Sequence, residues 1–137
     1  MGNKSIKRDL VVLQKIYEHQ KILKEEFVKY KIVDANDFDS QHIGYMVRRG
    51  FVQTVGDVFE LSRSLKDETI KKIGFNKRII KDFRNTATHN YGSLNNLIIF
   101  SCVKHCISKE LMKNVNDEIL RLETELSENN NDKNNNI

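Results

Sequence analysis

The chain has 137 residues, 39% of them hydrophobic, with no proline, six glycines and a formal charge of +4. That length supports one domain with its own core and is short for two, and the missing breakers exclude the turn-rich all-β classes, leaving an all-α chain as the expectation. No run of 18 apolar residues occurs, and the polar, basic start MGNKSIKRD is unlike a secretion signal, so a cytoplasmic protein with no membrane segment is expected.

Ile6, Leu10, Leu13, Tyr17, Leu23, Phe27 and Tyr30 recur close to the 3.6-residue period, which predicts an amphipathic helix over about 5–31. DANDFDS, residues 34–40, reads as a loop rich in turn and N-cap residues. A second helix over about 40–64 follows, with Ile43, Val47, Phe51, Val55, Val58, Leu61 and Leu65 on its buried stripe. Gly50 and Gly56 inside it each cost about 1 kcal/mol of helix propensity, which points to another backbone passing close by.

Shorter helices are expected between Lys66 and Phe83, the first ending at Gly74 and the next turning Ile79, Ile80 and Phe83 inward, with Arg84 at its end. Asn90 and Gly92 are turn formers, and Ser93 is the expected N-cap of a last helix over about 94–126, bent near Ser108. Residues 1–126 thus read as the domain. The segment 127–137, which contains ENNNDKNNNI, is polar and low in complexity and reads as a disordered tail.

Charge is uneven along this chain. Between Arg63 and Arg84 eight cationic side chains face three anionic ones, a local net of +5. Such a stretch is either a solvated helix face or a surface that meets phosphates. Cys102, His105 and Cys106 in CVKHC share one helix face, but structural zinc takes four ligands and no second Cys/His pair stands at a usable spacing. Burial of the two cysteines as small apolar residues is therefore expected, with no metal and no cofactor.

The segment that carries chemistry is RNTATHNYG, Arg84 to Gly92. Five residues separate Arg84 from His89, about 140° apart on an unbroken helix. A break between Arg84 and Gly92 would let His89 fold back toward the arginine, and the small residues Asn85, Thr86, Ala87 and Thr88 permit it. Arginine offers a fork of donors suited to phosphate, and histidine exchanges a proton near neutral pH. Such a pair can cleave RNA without metal, His89 acting as base on a 2′-hydroxyl or acid on the leaving oxygen, and Arg84 stabilising the charge on phosphorus. The plain alternative is an exposed histidine beside a helix-terminal arginine.

Arginine, asparagine, three residues, histidine, one residue and tyrosine is an order that resembles the signature of HEPN-domain ribonucleases, and most of all the HepT-like toxins of MNT–HepT toxin–antitoxin systems. Two long helices before it, with Gly56-Asp57 and Leu61-Ser62 in the second, and SKELMKNVNDEIL after it extend the resemblance over about residues 5–123. The chain departs from the family in having no tryptophan before the motif, and Thr86, Ala87 and Thr88 where aliphatic residues are frequent.

The resemblance implies an antiparallel bundle of four to five helices that homodimerises with its two motifs facing across a cleft. It implies a metal-independent endoribonuclease with Arg84 and His89 catalytic, Asn85 supporting them, and Lys77, Arg78 and Lys81 as RNA contacts. It also implies neutralisation by a nucleotidyltransferase antitoxin that adenylylates Tyr91. The rival reading is a catalytically silent HEPN module that binds RNA or a nucleotidyltransferase partner.

Overall fold

The computed structural model describes residues 2–87 and 95–135. Within them the chain is helical throughout its ordered elements, with seven α-helices and a short 3-10 helix and no strand among the described residues. The expected all-α class is what forms.

α1, Asn3–Lys29, buries Ile6, Leu13, Ile16 and Leu23 along one stripe and lies against both α3 and α7. Two polar residues share that stripe. Asp9 accepts a hydrogen bond from the Thr69 hydroxyl at 3.0 Å, and the Gln20 side-chain amide donates to the Cys106 carbonyl at 2.8 Å. Distant elements thus supply one partner to each group, while Asp9 Oδ1 and Gln20 Oε1 are buried with no hydrogen-bond partner among the described residues.

The expected loop at 34–40 is ordered by its own carboxylates. Asp34 accepts from the Asn36 N–H, and Asp37 accepts from the N–H groups of Val33 and Asp34 at 2.7 and 3.0 Å, which holds the Asp37 carboxyl below its ordinary range. The resulting 3-10 helix, Ala35–Phe38, delivers Phe38 fully into the core, edge-on to Phe51 at 5.1 Å and to Phe100 at 6.3 Å. Burying a phenylalanine this way contributes roughly 1.5–3 kcal/mol.

The helix expected over 40–64 is two helices. α2, Ser40–Ile43, ends at Gly44, whose φ of +85° is a conformation that side-chain-bearing residues rarely adopt, and α3, Tyr45–Arg63, starts directly after it. Phe51, Val52, Val55, Val58 and Phe59 form the buried face of α3. Among the described residues no other backbone approaches its glycines closely, contrary to expectation. A Cβ on Gly56 would meet the ring of Phe83 at 3.6 Å, a side chain, and one on Gly50 would meet nothing within 4 Å.

α4, Asp67–Ile73, has Asp67 and Glu68 in its first turn and Lys71 and Lys72 in its last, matching the helix dipole at both ends. It stops at Gly74 in the left-handed conformation, as the sequence predicts. α5 spans Lys77–Ala87 and α6 spans Asn96–Cys106. The N-cap of α6 is Asn95, whose side chain accepts from the Ile98 N–H at 2.8 Å; the expected cap, Ser93, lies outside the described residues.

The last helix is divided as well. The bend expected near Ser108 is a complete break, after which the Ser108 hydroxyl accepts from the Leu111 N–H at 3.2 Å and opens α7, Lys109–Asn135. α7 returns antiparallel along α1, since Gln20 meets Cys106 just before its start while Asn129 donates to Asn3 at 2.9 Å near its end. Helix therefore continues through 127–135, where a disordered tail was expected, and no proline or glycine in that stretch stops it. The two breaks, at Gly44 and before Ser108, raise the helix number from the expected four to five to seven among the described residues.

Candidate functional site

α5 carries most of the residues singled out by sequence. Its start is fixed by Asn76, whose side-chain oxygen accepts from the N–H groups of Arg78 and Ile79 at 3.0 and 3.1 Å. The backbone N–H of Asn76 in turn donates to His105 Nε2 at 3.0 Å. That ring nitrogen must be unprotonated to accept, and burial also lowers the pKa of His105. His105 thereby joins α6 to the start of α5 as a neutral acceptor.

Near the other end, Phe83 sets the rotation of α5. Its ring is buried against Phe59, edge-on at 5.4 Å, and over the bare backbone of Gly56. With Phe83 inward, together with half-buried Ile79 and Ile80, the opposite side of α5 faces out. At 100° per residue Lys77, Arg78, Lys81, Arg84 and Asn85 all fall within an arc of about 120° on that outer side. Lys77, Arg78, Lys81 and Asn85 are exposed and Arg84 is half-buried, with exposed Asp82 at the edge of the arc. Four cations on one ridge beside one carboxylate make a local positive field suited to a polyanion. Arg84 sits in the last turn, where the helix C-terminus also favours a cation.

The segment after Arg84 stays helical through Ala87. The Thr86 hydroxyl donates into its own helix, to the carbonyl of Asp82 and, at 3.4 Å, to that of Phe83. So a chain reversal cannot fall within 84–87. His89 and Tyr91, with the turn formers Asn90 and Gly92, lie outside the described residues. The structure thus brings Lys77, Arg78, Lys81, Arg84 and Asn85 onto one face.

One neighbour of this region gives no signal in the sequence. Arg48 on α3 donates through Nε and Nη2 to the side-chain oxygen of Asn96, at 3.3 and 3.2 Å. This ties α3 to the first turn of α6, on the far side of the segment 88–94, and rests on two residues 48 apart that no periodicity links.

CVKHC is core and joint. Cys102 and Cys106 are buried, and burial pushes both thiols up, Cys102 to about 12. Among the described residues no group of three or more His, Cys, Asp and Glu side chains is placed to hold a metal ion, and no helix is long and apolar enough to cross a membrane. Among the described residues a cleft of about 200 Å³ lies between α1 and α3 beside Gly50 and Phe51, one of about 130 Å³ beside His105 and Asn114, and an open one of about 570 Å³ along α7 beside Arg121; Arg84 lines none of them.

Compared with known proteins, the chain matches no protein-family model, no curated protein and no solved structure.

Proposed function

We propose that the protein is a metal-independent endoribonuclease, the toxin of a toxin–antitoxin pair acting in the cytoplasm, with Arg84 and His89 as its catalytic pair. What carries the reading is the order Arg84-Asn85-x3-His89-x-Tyr91 running directly on from an exposed basic ridge on α5. Phosphates of a single strand bind along Lys77, Arg78 and Lys81, which sets the scissile group at Arg84. His89 removes the proton of the 2′-hydroxyl, the 2′-oxygen bonds to phosphorus, and the bond to the 5′-oxygen breaks as that oxygen takes a proton from water. Arg84 neutralises the additional negative charge on the pentacoordinate phosphorus.

The HEPN and HepT resemblance supplies the partners of this reading: a second copy across the cleft, and a nucleotidyltransferase antitoxin that transfers AMP to Tyr91. A phenol with a pKa near 10 is a poor proton-transfer group at neutral pH, so Tyr91 is a regulatory handle. The adduct would place a negative charge and bulk beside the cations that hold RNA. A second reading, a silent module that binds RNA or the nucleotidyltransferase, is favoured by the same ridge, because Lys77, Arg78 and Lys81 attract phosphate whether or not a bond is cut.

RNA cleavage by the purified protein in excess EDTA decides between them. Wild type should cleave, and Arg84→Ala and His89→Ala should lose about 10²–10⁴ in rate while retaining helicity and RNA binding. Tyr91→Phe should cleave and escape neutralisation by the antitoxin with ATP. RNA binding by wild type with no cleavage in any metal condition would favour the silent module. Cleavage by a folded His89→Ala protein at the wild-type rate would remove the catalytic assignment.

A further inference from the structure

The first turn of α3 holds an aromatic ring in solvent beside cations. Tyr45, directly after Gly44, is 61% exposed, and its ring meets no other ring and no cation among the described residues. Met46 is exposed as well, and the Arg48–Asn96 hydrogen bonds bring the start of α6, with exposed Leu97, to this end of α3. From Ser40 to Gly56 the chain carries His42, Arg48 and Arg49 and no carboxylate. Arg49 is exposed and forms no ion pair among the described residues.

The position of this turn relates it to α5. At 100° per residue Tyr45, Arg49 and Gly56 fall within an arc of about 40°. That stripe is the side of α3 on which α5 rests, because the Phe83 ring closes over Gly56. At 1.5 Å per residue Arg49 and Tyr45 stand about 10 and 16 Å along α3 from that seat, and Arg84 is the next residue after Phe83. The carboxylates near α3 are engaged elsewhere. Asp34, Asp37 and Asp39 accept N–H groups of their own loop, Glu60 pairs with Arg63 at 3.4 Å, Asp57 meets His19 of α1 at 3.9 Å, and Glu26 lines the cleft on the α1 side. A ring and a guanidinium four residues apart on one helix face suit a single strand, whose base stacks on the ring while its phosphate meets the cation. The lack of a carboxylate in this stretch favours such a polyanion over a protein surface of mixed charge.

We propose that Tyr45 and Arg49 form a platform for single-stranded RNA, one unpaired base stacking on the Tyr45 ring and the adjoining phosphate lying on Arg49, on the side of α3 that carries α5. The inference takes its ligand from the ribonuclease reading and deepens it, by naming a place where a base is gripped beyond the phosphate ridge.

Binding of a short single-stranded RNA with 2′-O-methyl groups tests it, since that modification removes the nucleophile and keeps binding apart from cleavage. The RNA carries 2-aminopurine at one position after another, and circular dichroism is the fold control. Wild type should change the fluorescence most at one position. Tyr45→Ala should abolish that change and weaken binding about 5–100-fold, and Tyr45→Phe, which keeps the ring, should restore most of both. Deleting the base at that position should weaken binding to wild type and cost Tyr45→Ala nothing further. Arg49→Ala should reduce the salt dependence of binding by about one phosphate contact. No RNA binding by wild type, unchanged affinity and fluorescence in Tyr45→Ala, or a Tyr45→Phe protein no better than Tyr45→Ala would overturn the proposal. Cleavage of unmodified RNA by the same proteins separates the two readings. A complex that depends on Tyr45 without cleavage by wild type supports the platform and removes the ribonuclease; equal cleavage and equal affinity in wild type and Tyr45→Ala do the opposite.

Discussion

Phe83 is the residue that seats α5 on Gly56 and Phe59 of α3, and its truncation to alanine should separate the seat of the basic ridge from the ridge itself. The ring is 5% exposed, sits edge-on to Phe59 at 5.4 Å and closes over Gly56 at 3.6 Å. Phe→Ala changes at buried sites cost about 3–5 kcal/mol, a range that includes the lost ring and the cavity it leaves. At about 2.1 cal/mol/K per residue, 137 residues have an unfolding entropy of about 0.29 kcal/mol/K, so the melting midpoint should fall by about 10–17 °C. Gly56→Ala should act in the opposite sense. Its new Cβ meets the ring at ordinary contact distance and removes a helix-interior glycine, for a gain of about 0.5–1 kcal/mol, or about 2–3 °C. Calorimetry of the two variants beside Arg84→Ala, which should melt near wild type, checks the argument. A Phe83→Ala midpoint within about 3 °C of wild type would mean that α5 is not seated on α3 through this ring.

The other expectations concern the buried titratable groups. Cys102 and Cys106 should resist alkylating reagents at pH 8 in the native protein and react in guanidinium, because burial holds both thiols protonated; rapid native labelling followed by mass spectrometry would contradict this. The pKa of His105 is lowered on folding, so the unfolded chain takes up its proton first as the solution is acidified. Its contribution to stability is full above the ordinary value of 6.5 and is lost as pH falls below it, along with the acceptor for the Asn76 N–H. Urea midpoints at pH 8 and pH 5 should differ more for wild type than for His105→Gln, and equal differences would show that the ring does not titrate as described.

The parts of this fold that the sequence reveals are those in which each helix buries one stripe. Leu13, Leu23, Phe51, Val55 and Val58 stand where the 3.6-residue period puts them. Gly74 is recognisable as a terminator because a glycine directly follows the apolar pair that closes α4. Gly44 is not, because Ile43 and Val47 keep the apolar spacing across it, and only its positive φ shows that the chain turns there. The break before Ser108 is concealed in the same way, since Val103, Ile107 and Leu111 keep the period while the serine hydroxyl starts a new helix. Asp9 and Gln20 read as solvent positions, and their burial depends on Thr69 and Cys106, 60 and 86 residues away.

The candidate site divides along the same line between local and distant information. Lys77, Arg78, Lys81, Arg84 and Asn85 belong to one helix of eleven residues, so their common face follows from helix geometry once Phe83 is known to point inward. The inward direction is itself readable, because Ile79, Ile80 and Phe83 are the apolar residues of that helix. Arg48 and Asn96 are related by nothing local; their hydrogen bonds exist because Phe38, Phe51 and Phe100 pack together and bring α3 and α6 side by side. A positive ridge is thus a property of one segment, whereas the frame on either side of residues 88–94 is a property of the whole core. Substitutions at Lys77 or Lys81 should accordingly weaken phosphate binding and leave stability nearly unchanged, while those at Phe83 or Phe51 should alter both.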